Sequence, residues 1–340
     1  MISFIKNKKY SKFIIKSDNA SWVLDEIKNE LEKILKNHFT IINQKFSKFF
    51  FNQCIFFLNK YDLLKANFSQ NKIGVSIFHF DKQEKEKNYK IIKLLRNKNF
   101  ITSIQVTNDK IKNFLIKSGI NKNKIHKIPI GIELKKFKYR SLSQRLKNKK
   151  KLNLNKCLVI GSFQKDGIGW GDGMEPKKIK GPDIFIKIIK ELSKRKKIHV
   201  ILSGPSRGYI KRNLKRLNIS FSHYYYKNYD DVIKLYSLID IYIVSSRVEG
   251  GPRAILESMA SGVVVFSTRV GQAEEIIKNN KNGYLYNKDD IKLVSEKIIN
   301  VFNDIKKRKK IIEEGKFTSV KFSYPQTKQK WLNFFNSINS

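Results

Sequence analysis

The chain has 340 residues, enough for two domains of about 150 residues each. It carries 70 lysines and arginines against 29 aspartates and glutamates, for a formal net charge of +41. No run approaches the roughly 20 apolar residues of a membrane span, and the opening MISFIKNKKY lacks the apolar core of a secretory signal. Cys54 and Cys157 lie far apart in apolar runs, as is typical of buried thiols in a reducing compartment. These features predict a cytoplasmic protein.

The charge has two interpretations. A nucleic acid or an anionic membrane would attract a basic surface. Codon usage in an AT-rich genome would also enrich lysine, asparagine, isoleucine and phenylalanine together. Lysine is spread along the whole chain, so we attribute most of the charge to codon usage and expect no specific nucleic acid partner. A weaker, peripheral contact with anionic lipid at the inner face of the membrane stays open.

The first half of the chain alternates β-rich runs with helical patterns. Apolar residues at helical spacing from Val23 to Leu35 predict a helix that Asp18, Asn19 or Ser21 would cap. Strands are predicted at 12–16, 53–59, 74–80, 101–108 and 125–131. Further helices are predicted at 60–68, 84–97 and 108–119. Residues 137–156 are basic and polar, so we interpret them as a solvated surface segment and place a domain boundary near residue 150.

The second half repeats the alternation more regularly. Strands are predicted at 157–163, 198–204, 219–225, 239–247 and 262–268. Helices are predicted at 182–195, 205–217, 229–238, 252–261 and 323–338. Near-continuous apolar strands separated by helices indicate a parallel sheet covered on both faces. The predicted class is therefore α/β, with two Rossmann-like doubly wound domains facing a cleft.

The stretch SSRVEGGPRAILESMASG, residues 245–262, joins a strand to a helix through a Gly250–Gly251–Pro252 corner. Ligands of doubly wound sheets bind at such corners, where glycine admits close approach and the helix start attracts anions. Glu249 precedes the corner and Glu257 follows it inside the helix, off the stripe of apolar residues. The alternative is plain: Arg253 and Glu257 could form a surface pair at i, i+4 spacing, and Glu249 could simply favour the helix dipole.

The segment from Ser245 to Ile277 resembles the E-x7-E signature of family-4 retaining glycosyltransferases, which have the GT-B fold. The resemblance covers residues 157–300 and continues weakly over 128–137. It implies an acceptor-side domain over 1–150, a nucleotide-sugar domain over 151–322, and a helix over 323–340 that crosses back to the first domain. By the same resemblance, Glu249 contacts the transferred sugar and Glu257 contacts the nucleotide ribose, while Gly250, Gly251, Pro252 and Arg253 complete the donor site.

Further donor-side and acceptor-side positions come from the same resemblance. A Lys180–Gly181 pair at a helix start would bind the donor diphosphate, and Gly204 would line the nucleotide pocket. His79 resembles the histidine of the first domain in that family and would act in catalysis; the alternative is a hydrogen-bonded core histidine. The family's usual arginine after Gly161 is absent, and Lys165 could replace it. The glycine-rich loop 161–183 could cradle an anion or be merely mobile.

The sequence thus predicts a retaining, metal-independent glycosyltransferase that uses a nucleotide-diphosphate sugar as substrate and needs no cofactor. Its acceptor would be a glycan or a lipid-linked molecule in cell-surface polysaccharide or glycolipid synthesis. The sequence contains no D-x-D triplet and no Cys/His spacing that is typical of a metal site. Two other functions stay open: another GT-B enzyme such as a nucleotide-sugar epimerase, and a polyanion-binding protein without catalytic activity.

Overall fold

A computed structural model describes residues 12–17, 23–43, 53–65, 71–226 and 228–340. The chain divides into two compact units. The first contains the described residues up to Ile128 together with Thr327–Ser340, and the second is Pro129–Gln326. No helix in these ranges is long and apolar enough to cross a membrane.

The first unit contains a parallel six-stranded sheet in the order β2-β1-β3-β4-β5-β6. Its strands are β1 (Lys12–Lys16), β2 (Thr40–Ile41), β3 (Cys54–Phe57), β4 (Lys72–Ile77), β5 (Ile101–Val106) and β6 (Ile125–Lys127). The short strand β2 was not predicted from the sequence. This order is that of a doubly wound sheet whose direction of winding changes between β1 and β3.

Among the described residues, four α-helices belong wholly or partly to the first unit. They are α1 (Val23–Leu35), α2 (Lys85–Asn97), α3 (Asp109–Lys117) and most of α12 (Tyr324–Asn339). The caps proposed for α1 lie outside the described residues. The helix predicted at 60–68 is, in its described part, a 3-10 turn at Lys60–Leu64.

Helix α12 packs on the first sheet through aromatic side chains. Phe56 on β3 makes edge-on contacts with Trp331, Phe334 and Phe335, at ring distances of 5.1 to 6.0 Å. Gly74 on β4 leaves room for Ile338, since a Cβ at this position would overlap the isoleucine side chain. The last helix of the chain is therefore part of the core of the first unit.

The second unit contains a parallel sheet in the order β12-β11-β10-β7-β8-β9. Its strands are β7 (Leu158–Phe163), β8 (Ile198–Ser203), β9 (Ser220–Tyr224), β10 (Ile241–Val244), β11 (Val264–Thr268) and β12 (Tyr284–Tyr286). This is the strand order of the dinucleotide-binding Rossmann sheet, with its switch point between β7 and β10. The predicted class, two doubly wound parallel sheets, is confirmed.

The helices of the second unit cover both faces of its sheet. They are α4 (Leu142–Lys150), α5 (Pro182–Ser193), α6 (Gly208–Arg216), α7 (Tyr229–Leu235), α8 (Arg253–Ala260), α9 (Ala273–Ile276), α10 (Ile291–Asn303) and α11 (Ile305–Lys321). Apolar side chains from α5 and α10 pack on one face, and those from α8 pack on the other. Helices α4, α9, α10 and α11 were not predicted.

The basic segment around residue 150 differs from the interpretation of a solvated surface. It forms α4, which begins with a capping box in which Ser141 and Gln144 each bond the other's backbone amide. Arg145 and Lys149 are buried on its inner side. The two units divide at residues 128 and 129, whereas the sequence places the boundary near residue 150, because α4 packs within the second unit.

Replacing Phe334 with Ala should destabilise the first unit by about 3–5 kcal/mol, the usual cost of deleting a buried aromatic side chain. Hydrogen exchange of β3 and β4 should accelerate more than that of β7 and β10. Phe317→Ala is the control, because this side chain is 60% exposed on α11. Equal effects of the two changes would contradict the packing role of α12.

Candidate functional site

The candidate site lies at the switch point of the second sheet, where β7 and β10 are hydrogen-bonded neighbours. The loop that follows β7 leads to Lys180, and the corner that follows β10 contains Glu249. The two segments are bonded through their backbones: the amides of Arg247 and Val248 donate to the Ile179 carbonyl at 2.7 and 3.2 Å. Two segments far apart in sequence therefore meet at the edge where doubly wound sheets bind ligands.

Lys180 and Glu249 form an ion pair at this junction. The Nζ–Oε1 distance is 2.5 Å, and the side chains are 24% and 14% exposed. Ser246 Oγ also donates to Glu249 Oε1, at 3.0 Å. The structure thus joins two residues that the sequence assigned to the diphosphate and the sugar. An anionic ligand that reaches Lys180 would weaken its attraction to Glu249.

Gly181 fixes the backbone beside Lys180. Its φ of +63° is in the left-handed region, and a Cβ would overlap the Ser245 carbonyl oxygen. Pro182 follows as the first residue of α5, a position that suits its missing N–H. The Lys180–Gly181 pair therefore needs glycine for both conformation and space.

The Gly250–Gly251–Pro252 corner is held by a residue that the sequence reasoning missed. The backbone N–H of buried Gln272 donates to the Gly250 carbonyl at 2.9 Å, and the side-chain oxygen of Gln272 accepts from the Ile130 backbone N–H at 3.0 Å. A Cβ on Gly251 would lie 2.6 Å from the Gln272 side chain. Pro252 caps α8, one position before its predicted place as the first helical residue.

Glu257 is buried, so the expectation that it lies off the core is wrong. Tyr229 Oη donates to Glu257 Oε1 at 2.5 Å, and Tyr236 Oη donates to Oε2 at 2.8 Å. Arg253 Nε lies 3.4 Å from Oε1, and this pair is buried instead of forming the surface pair considered above. Burial, reinforced by the Glu257 charge, raises the pKa of both tyrosines well above 10.

The glycine-rich loop after β7 folds as a hairpin over the start of α6. The amides of Gly208 and Tyr209 donate to the Asp172 and Gly173 carbonyls at 2.6 and 2.9 Å. Ser206 Oγ donates to two further loop carbonyls. The carbonyls of the loop therefore occupy amides at the start of α6, and an anion cradle formed by the loop's own amides stays a prediction.

Gly204 directly follows β8. Its φ is +100°, and its carbonyl accepts a hydrogen bond from His223 Nε2 at 2.8 Å. Lys165 Nζ lies 3.5 Å from the centre of the exposed Trp170 ring, so this lysine is engaged by the hairpin itself. Its assignment as a replacement for the missing family arginine stays a prediction.

Arg207 is buried and bonds to backbone carbonyls near the carboxyl ends of β7 and β8. The sequence analysis did not identify this residue. Arg207 donates to the carbonyls of Ser162, Gln164 and Ser203 at 2.7 to 2.8 Å. Its Nε lies 3.0 Å from Asp166 Oδ1, and both side chains are fully buried. Burial raises the pKa of Asp166 despite this pair. Arg207 thus supports the loop that carries Lys180.

His79 belongs to the first unit and follows β4. It is half-buried, and its backbone carbonyl accepts a hydrogen bond from the Lys60 amine. Lys60 lies 4.7 and 5.0 Å from the ring centres of Tyr61 and Phe80, and burial lowers its pKa to about 8. The neighbours of His79 thus include a buried cation that the sequence analysis had not singled out.

No group of three or more His, Cys, Asp and Glu side chains that could hold a metal ion occurs among the described residues. The charged groups at the switch point include Lys180, Glu249, the Arg247–Asp183 ion pair and, through α8, Arg253 and Glu257. This arrangement can accept hydroxyl hydrogen bonds through carboxylates and can stabilise phosphate charge through lysine and backbone amides.

The fold is that of an α/β protein, and the corner places the candidate site at a Rossmann switch point. Residues 175–317 match the family described as glycosyl transferases group 1. The chain is similar to the Anabaena protein HepE, solved in complex with UDP and glucose, at 15% identity and a TM-score of 0.76. That likeness covers 96% of this chain and 100% of HepE, and it gives the fold, which is GT-B.

Two curated relatives match over shorter lengths. An uncharacterized glycosyltransferase of Methanocaldococcus jannaschii is 32% identical over 152 residues, which cover 43% of this chain and 41% of the relative. A Campylobacter jejuni GalNAc-alpha-(1->4)-GalNAc-alpha-(1->3)-diNAcBac-PP-undecaprenol alpha-1,4-N-acetyl-D-galactosaminyltransferase is 26% identical over 166 residues, 47% of this chain and 46% of the relative. The chain thus matches less than half the length of either.

Gly181→Ala should lower the free energy of unfolding by more than the roughly 1–2 kcal/mol of left-handed strain alone, because the methyl group also meets the Ser245 carbonyl. Thermal unfolding measures this. Gly171→Ala is the matched control from the same loop, where a Cβ meets nothing within 4 Å. If the two variants melt alike, the proposed geometry of the Lys180 turn is incorrect.

Glu257→Ala should cost about 3–5 kcal/mol of stability, since it leaves buried Arg253 without this carboxylate and two tyrosine hydroxyls without their acceptor. Denaturant unfolding measures the loss, with exposed Glu274→Ala as the control. Calorimetric titration of folded Glu257→Ala with nucleotide then tests the ribose contact; unchanged affinity would rule that contact out.

Proposed function

We propose that the protein is a retaining, metal-independent glycosyltransferase of hexosyltransferase type that uses a nucleotide-diphosphate sugar as donor. The observation that carries the proposal is the Lys180–Glu249 ion pair at the switch point, next to the glycine corner that opens α8. The match of residues 175–317 to glycosyl transferases group 1 supports it. The family-4 subclass and the E-x7-E reading of Glu249 and Glu257 belong to the same proposal.

The donor would lie along the corner with each part near a matching group. The diphosphate would contact Lys180, Gly181 and the backbone at the start of α8, because a helix start and a cation both stabilise phosphate charge. The transferred sugar would lie near Glu249 and the ribose near Glu257. HepE was solved with UDP and glucose, and this supports a nucleotide-sugar as the donor class.

The chemistry would depend on a redistribution of the Lys180 charge. As the bond from the anomeric carbon to the diphosphate breaks, negative charge grows on the phosphate oxygen, and Lys180 with the 250–253 backbone would stabilise it. Glu249, relieved of part of its attraction to Lys180, can accept hydrogen bonds from sugar hydroxyls and favour the positive ring. His79 would act on the acceptor side, and no cofactor takes part in this proposal.

The acceptor would be a glycan or a lipid-linked molecule in cell-surface polysaccharide or glycolipid synthesis. The Campylobacter jejuni relative is named for a glycan linked to PP-undecaprenol, which supports a lipid-linked class. A place in the cytoplasm, with peripheral contact to anionic lipid at the inner face of the membrane, completes the proposal. It rests on the composition of the chain.

The proposal is tested by Glu249→Gln, which keeps the shape of the side chain and removes its charge. We expect kcat to fall about 100-fold or more, because the charge acts mainly in the transition state, with a small change in KM. Glu175→Gln, an exposed position in the same region, is the control. A panel of nucleotide sugars analysed by mass spectrometry identifies the donor first.

Four outcomes would contradict parts of this function. Normal kcat with a raised KM would leave Glu249 as a donor-binding residue only. Turnover lost in chelator and restored by a divalent cation would disprove metal independence, and an inverted anomeric configuration of the product would disprove retention. Conversion of a nucleotide sugar without any acceptor would favour an epimerase.

A further inference from the structure

A second concave site lies on the side of the second sheet where strand β10 begins, opposite the side where it ends. Asp240, which lines it, directly precedes β10, whereas the candidate donor site follows the carboxyl end of that strand. The pocket has a volume of about 570 Å³ and lies between α4, the end of α10 and the start of α11. We call it the basic pocket; its apolar wall consists of Leu142, Leu146, Phe302, Ile305 and Ile312.

The basic pocket contains more cations than anions. Its lining includes four cationic side chains, Arg145, Lys149, Arg308 and Lys309, and two anionic side chains, Asp240 and Glu313. Lys149 pairs with Asp240 at 2.6 Å, and Arg145 is bonded to backbone carbonyls. The positive charge of this concavity is therefore only partly compensated.

Arg308 is a half-buried cation of the pocket that forms no ion pair with the described residues. Its guanidinium lies 5.1 Å from the centre of the Phe302 ring. Its Nε is buried, and within the described ranges of the chain it has no hydrogen-bond partner. Burial lowers the pKa of Arg308, while Asp240 acts in the opposite direction. A guanidinium in this position is suited to a phosphate oxygen.

The rim of the pocket combines apolar side chains with lysines. Leu146 on α4 is 44% exposed and Ile305 on α11 is 56% exposed. Each is followed four residues later by an exposed lysine, Lys150 and Lys309, on the same side of its helix. The sequence alone shows two separate lysine-rich runs; the fold brings both to one pocket.

We propose that this face binds the surface of an anionic lipid bilayer, with a phosphate-bearing headgroup in the basic pocket beside Arg308. Leu146 and Ile305 would enter the boundary between headgroups and acyl chains, and the lysines would meet anionic headgroups. Leu146 and Ile305 are both more exposed than Tyr139, an aromatic side chain of the lining that is 39% exposed, and this favours lipid over a nucleic acid recognised by stacked aromatic groups. The proposal locates the membrane contact included in the proposed function, but it does not require glycosyl transfer.

The test is flotation of the full chain with vesicles of phosphatidylcholine alone and with added phosphatidylglycerol, at low and physiological salt. We expect binding only to the anionic vesicles. Lys150→Gln with Lys309→Gln should weaken it about thirtyfold, because each lysine near an anionic surface adds about 1 kcal/mol. Leu146→Ser with Ile305→Ser should also weaken binding, and Arg308→Gln should weaken it without changing the rim.

Lys187→Gln with Lys190→Gln is the matched control, since it removes the same charge from exposed positions of α5 in the same unit. Equal losses in the control and the rim variants would overturn the proposal in favour of bulk charge. Binding of inorganic phosphate by calorimetry without vesicle binding, or tighter binding of single-stranded RNA that depends on the same residues, would also overturn it. Nucleotide titration of each variant reports the donor site separately, so failure here is distinguishable from failure of the proposed function.

Discussion

Two buried arginines of the second unit, Arg145 and Arg207, donate to several main-chain carbonyl groups each, and the second unit depends on these interactions. With 70 basic and 29 acidic residues, carboxylates are too few to pair with every cation. Arg145, buried in α4, instead donates to carbonyls of residues 236, 239, 261 and 262. These carbonyls follow the ends of α7 and α8, where the helix dipole is negative and a cation is stabilising. Burial still lowers the pKa of Arg145 to about 10.

The interaction of Arg145 with these carbonyls also positions the buried part of the candidate site around Glu257. Helix α7 and the turn after it supply Tyr229 and Tyr236, and α8 supplies Glu257, which accepts a hydrogen bond from each tyrosine. The Arg145 guanidinium is bonded to carbonyls that follow both helices, and it therefore fixes the distance between the tyrosine hydroxyls and the carboxylate. Arg207 plays a comparable part at the ends of β7 and β8. A basic segment that looked like solvent-exposed surface in the sequence is thus a structural support of the site, and it also forms one wall of the basic pocket.

The sequence was sufficient where the signal is local. Buried parallel strands read as apolar runs, and the Gly250–Gly251–Pro252 corner predicts its own turn, so most elements of the second unit and the segments of Lys180 and Glu249 could be placed. The burial of Glu257 could not be predicted, because it depends on Tyr229, 28 residues away along the chain. Gln272 bonds Ile130 across 142 residues, and no local pattern marks it. Helix α4 was missed although Ser141 and Gln144 form a capping box, since its inner side is charged instead of apolar.

Lys180 differs from the buried cations Arg145, Lys149 and Arg207 in its exposure and in its place in the fold. Arg145 and Arg207 are bonded to carbonyls of the fixed backbone, so their charge is committed to the fold. Lys180 pairs with the side chain of Glu249, is less deeply buried, and lies at the ligand edge of the sheet. An ion pair near the surface is weak, because solvent screens it and the side chains lose entropy. The Lys149–Asp240 pair at 2.6 Å is buried, whereas an anion that reaches Lys180 would compete directly with Glu249 for the same charge.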